Sequence, residues 1–123
     1  MAESTPMKFN PTQAVTVRFN PLDQASAEEI DGFLRQVCAT QGETREEQTE
    51  IADQLEALVP ALVELRDAGH IPLNMAVVAS YGTLDGFMRL AGDERLTPLS
   101  RARCAAIRNR LLAQSLKALF RNA

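Results

Sequence analysis

The side chains able to do chemistry are few, and each stands without the company its chemistry needs. Cys104 is the best placed: Arg101, Arg103 and Arg108 lie within four residues of it, and nearby guanidinium groups lower a thiol's pKa toward the reactive thiolate. It also falls on an apolar strip, however, and a buried thiol is inert packing, which is the reading adopted. Cys38, on an apolar helical face, reads the same way. His70, the single histidine, follows Gly69 and precedes Ile71-Pro72 with no His or Cys near it, so it reads as a turn residue. Two-carboxylate hydrolysis requires a desolvated acid. The one acid among apolar neighbours, Asp85, is explained as a charge in the first turn of a helix. The chain has no glycine-rich phosphate loop, no Gly-x-Ser-x-Gly, and only two lysines, Lys8 and Lys117. The expectation is a non-enzyme with no catalytic residue, no metal site and no cofactor.

The elements that would carry function are therefore contact surfaces. The chain's 123 residues fit one domain, with 46% apolar and 24% charged residues, which excludes global disorder. Residues 1–10 lack the apolar core of a secretory signal. The longest apolar run, Met75 to Ala79, is far short of the roughly 20 residues that span a bilayer. A cytoplasmic location with reduced thiols is expected.

Residues 1–22 read as an arm and 23–123 as a helical body. In the arm, Lys8-Phe9-Asn10-Pro11 recurs as Arg18-Phe19-Asn20-Pro21. Between the two copies, Val15, Val17 and Phe19 alternate with Thr16 and Arg18, the period of a β-strand. No second strand pattern follows, so this one predicts pairing with another molecule.

In the body, Ser26 and Glu29 have capping-box spacing and open a helix with Ile30, Phe33, Leu34, Val37 and Cys38 on one stripe. Thr44 and Glu47 open a second, ended by Gly69, whose stripe is Ile51, Leu55, Leu58, Leu62 and Leu65. Pro60 predicts a kink in it. Met75 to Tyr81 is apolar nearly all round and reads as the most buried segment. Thr83 caps a short helix that Gly92 stops. Thr97-Pro98 opens the last helix, which runs to about Arg121. The fold class expected is mainly α: a four- to five-helix bundle or orthogonal array with one short N-terminal strand.

Charge is segregated. Residues 97–123 hold six basic side chains and no acidic one, while the whole chain carries −3. At 100° per residue Arg103, Arg110, Lys117 and Arg121 form a ridge between two apolar strips, Cys104-Ile107-Leu111-Ala118 and Ala105-Leu112-Leu116-Phe120. The ridge reads as balancing the acidic second helix or as steering a partner electrostatically. The apolar surface exceeds what four helices need, which points to a protein partner. The expected function is a small regulator or adaptor that occludes a partner protein's interaction surface, as an inhibitor or an assembly chaperone, and that forms a homodimer. Its contact residues would be Val15, Val17, Phe19, Ile51, Leu55, Leu58, Leu62, Leu112, Leu116 and Phe120. The alternative, a nucleic-acid-binding regulator using the basic ridge, is disfavoured by the acidic remainder and would show steep salt dependence. No membrane partner is expected.

Overall fold

The computed structural model describes residues 20–39 and 44–121; the strand pattern with Val15, Val17 and Phe19 lies outside them. The described residues form five helices: α1 (Ala27–Ala39), α2 (Arg45–Asp67), α3 (Met75–Tyr81), α4 (Leu84–Ala91) and α5 (Pro98–Arg121). There is no strand among them. None of these helices is long and apolar enough to cross a membrane.

Local chemistry sets each helix start. In α1, Glu29 N donates to Ser26 Oγ and Ser26 N donates to Glu29 Oε1, so two backbone donors left free at the helix end are satisfied reciprocally. Thr44 and Glu47 do the same for α2. Asn74 and Thr83 cap α3 and α4 by accepting from Val77 N and Gly86 N. At the other end of α2, Gly69 takes φ +78°, with Gly69 N donating to Arg66 O and His70 N to Leu65 O. This is the paired helix stop for which glycine is favoured, because it has no Cβ to clash in the left-handed region.

Helix α2 is the centre of the molecule. It packs on α1 along one side and on α5 along another, while α4 lies against α5 and α3 against α4. Two neighbours explain why its buried face is wide, taking in Leu55, Ala57, Leu58, Val59, Ala61, Leu62 and Leu65. The helix runs unbroken through Pro60. The core joins these residues to Ile30 and Leu34 of α1, Phe87 and Leu90 of α4, and Cys104 and Ile107 of α5.

The chain entering α1 is part of this body. Leu22 is fully buried, and Arg66 Nη1 donates to the carbonyls of Leu22 and Ala25, both at 2.8 Å. Asn20 Nδ2 donates to Leu73 O at 2.7 Å, while its Oδ1 accepts from Leu22 N. The second of the two Phe-Asn-Pro copies thus ends in a tether between the start of the body and the α2–α3 connection.

The reading of Met75 to Tyr81 as the most buried segment is corrected by the structure. No residue of α3 is buried, and Met75 is among the exposed large apolar side chains. Only Val77, Val78 and Tyr81 lean on the core. A seven-residue helix, about 10 Å long, touches the core along one edge. Phe87, Leu90, Leu73 and Leu96, each at most 3% exposed, belong to the core in its place.

Candidate functional site

Cys104 has no exposed surface, and its Sγ donates to Ala57 O at 3.7 Å. Burial, with the Glu64 carboxylate adding to it, pushes the thiol pKa up to about 11. The arginines near it in sequence do not produce a thiolate, since a desolvated thiol keeps its proton. Cys38 is half-buried and His70 exposed.

The basic ridge meets the acidic face of α2. Helices α2 and α5 run antiparallel, and their polar contacts mark a continuous seam. Glu64 accepts from Thr97 N at 2.9 Å, from Thr97 Oγ1 at 3.1 Å and from Ser100 Oγ. Further along, Arg110 Nη1 pairs with Asp53 Oδ2 at 3.0 Å, and Gln114 Nε2 donates to Glu50. Between them a groove of about 360 Å³ is edged by Asp53, Glu56, Arg103 and Arg110, two charges of each sign. Two of the four steering candidates, Arg103 and Arg110, thus sit opposite carboxylates of the same chain. Lys117 and Arg121 form no ion pair among the described residues and stand exposed.

Glu64 does for α5 what Ser26 and Thr44 do for their own helices, reaching across from α2 to take up donors at the start of α5. Burial raises its pKa, but the Ser100 and Thr97 donors and the charge of Arg103 outweigh this and leave it below the ordinary carboxylate value. A folded-state pKa below the unfolded one stabilises above the unfolded pKa, and that stability is lost as pH falls through the folded pKa. Urea melts taken downward from pH 6 are expected to show a loss of stability below the usual glutamate range that is smaller in Glu64→Gln. An identical pH profile in both proteins would remove Glu64 from this role.

The ten apolar contact candidates part company. Val15, Val17 and Phe19 lie outside the described residues. Leu55, Leu58 and Leu62 are buried in the core of their own chain, and Ile51 packs against it, so this stripe is taken up within the chain, where α2 packs on α1 and α5. The remaining three are open. Leu112 is 45% exposed, Leu116 47% and Phe120 75%, with Leu119, which the strip pattern did not include, at 65%. Every residue from 112 to 121 is exposed.

The cause is the side of α5 that its neighbours take. Helix α4 runs back along α5 from the short turn that joins them, and its far end, Leu84, shares a groove with Leu111, Ser115 and Ala118. Leu112, Leu116 and Phe120 lie about 100–180° round the helix from Leu111, away from that groove. The last helix is therefore not wedged between two apolar surfaces along its length: its first strip enters the core through Cys104 and Ile107, and its second meets solvent beyond Ala105. By helical angle the open strip flanks the basic ridge, with Phe120 about 60° and Leu116 about 100° round the helix from Lys117, so α5 ends in an apolar edge beside a basic edge. No protein-family model, curated protein or solved structure matches this chain.

Proposed function

We propose that this protein is a non-enzymatic regulator or adaptor that works by covering another protein's interaction surface, and that the end of α5 makes the contact. One observation carries the reading: four large apolar side chains, Leu112, Leu116, Leu119 and Phe120, lie open on the last turns of a helix whose adjoining edge is basic. Contiguous apolar surface costs free energy in water at roughly 25 cal/mol per Å², and on a small domain such a patch marks a protein contact. The geometry of Cys104 and the neutral α2–α5 groove supports contact over catalysis.

The Leu116→Ser, Phe120→Ser double variant tests the reading. Both side chains are exposed, so its melting temperature should match that of the parent. A tagged parent chain isolated from its own cells should retain a stoichiometric protein, itself or another, that the variant loses. Equal retention by a folded variant would contradict the reading.

A further inference from the structure

The end of α5 is one half of a complementary pair whose other half lies elsewhere on the same chain. Between α1 and α2 runs a groove of about 310 Å³ with Leu55, Val59 and Pro60 at its floor. Its rim is acidic, formed by Glu28, Asp31 and Glu56. The single base there, Arg35, is held by Asp31 at 2.6 Å and lies in the field of Glu56 as well, so one positive charge stands against three negative ones. The groove thus has an apolar floor and an excess of negative charge at its rim. The end of α5 has an apolar strip and two unpaired positive charges, Lys117 and Arg121.

Resting on the reading of this strip as a protein contact, we propose that a second copy of the chain covers it: the end of α5 from one copy lies in the α1–α2 groove of the other. Leu116 and Phe120 would meet Val59 and Pro60, with Lys117 and Arg121 facing Glu28 and Glu56. The groove of the same chain is out of reach. Gln114 is fixed beside Glu50, and because α5 is antiparallel to α2, every later residue runs farther from Val59 and Pro60. Each copy offers one helix end and one groove, so a two-fold pair fills both sites and closes. Opposite charge across the contact selects this partner over the like-charged pairing of two helix ends.

Charge reversal with rescue is the test, read as the dimer dissociation constant by sedimentation equilibrium, with circular dichroism confirming the fold. Glu28→Lys with Glu56→Lys, and separately Lys117→Glu with Arg121→Glu, should each weaken the dimer at least tenfold. Mixing the two variants, which restores opposite charge at both contacts of the pair, should recover association in a mixed dimer. A dimer indifferent to both charge variants yet lost in Leu116→Ser, Phe120→Ser would overturn the groove as the docking site while leaving the strip as a contact. A parent chain that stays monomeric while retaining a different protein through the strip would also overturn it. Failure of the strip variant to change any association would instead remove the functional reading beneath it.

Discussion

Leu58→Asp is expected to abolish the cooperative unfolding transition of this protein. Leu58 is 2% exposed at the centre of α2, with its Cδ2 close to Gly82 in the turn between α3 and α4. A carboxylate there would be almost wholly cut off from water. Leaving it charged costs several kcal/mol, and protonating it still buries a polar group without partners. A domain of this size has about 5–15 kcal/mol of total stability, so the substitution removes a large share of it. Leu58→Ala, which only opens a cavity, should cost about 2–5 kcal/mol and keep a two-state urea transition at a lower midpoint. Circular dichroism against urea distinguishes the outcomes. A Leu58→Asp midpoint equal to that of the parent would mean that the α2 stripe is not core.

Gly86→Ala is the second, and its sign is the informative part. In an ordinary helix interior this change stabilises by about 0.5–1 kcal/mol, because alanine loses less backbone freedom. Gly86 sits in the first turn of α4, buried, where an added Cβ would collide with the backbone oxygen, carbonyl carbon and Cα of Tyr81. Backbone cannot rotate aside as a side-chain end can, so α3 and α4 must separate at the turn through residues 82 and 83. Destabilisation by about 1–3 kcal/mol is expected. Gly92→Ala, where the nearest atom is at 3.8 Å, is the control and should stay within about 0.5 kcal/mol. Denaturant midpoints of the two variants measured together would decide it; a stabilised Gly86→Ala would contradict the close approach of α3 and α4.

Features set by neighbours in sequence were legible there, and features set by distance were not. The capping boxes of Ser26 with Glu29 and Thr44 with Glu47 are reciprocal bonds across three residues, so spacing alone reveals them. The same holds for Gly69, and for Thr97-Pro98 at the start of α5. The Leu55-Leu58-Leu62-Leu65 stripe was legible because a helix has a fixed period; spacing favoured packing on neighbouring helices without excluding a homodimer seam. Glu64 as the acceptor for the start of α5 joins residues 33 and 36 apart, with no local signature. Met75 to Tyr81 misled because an apolar run reports affinity for a core and says nothing of the volume left there. The open end of α5 was half legible: the strip through Leu112, Leu116 and Phe120 is periodic, but its exposure follows from which side of α5 the neighbouring helices take.

The measurement that bears most directly on the end of α5 as a contact surface is site-specific photo-crosslinking in living cells. A benzophenone side chain would replace Leu116 in one protein and Glu94, an exposed residue outside the strip, in another. Position 116 should give a discrete adduct, of two chain masses if the second copy is the occupant, and position 94 none. Adducts absent from both positions, or equal at both, would contradict it.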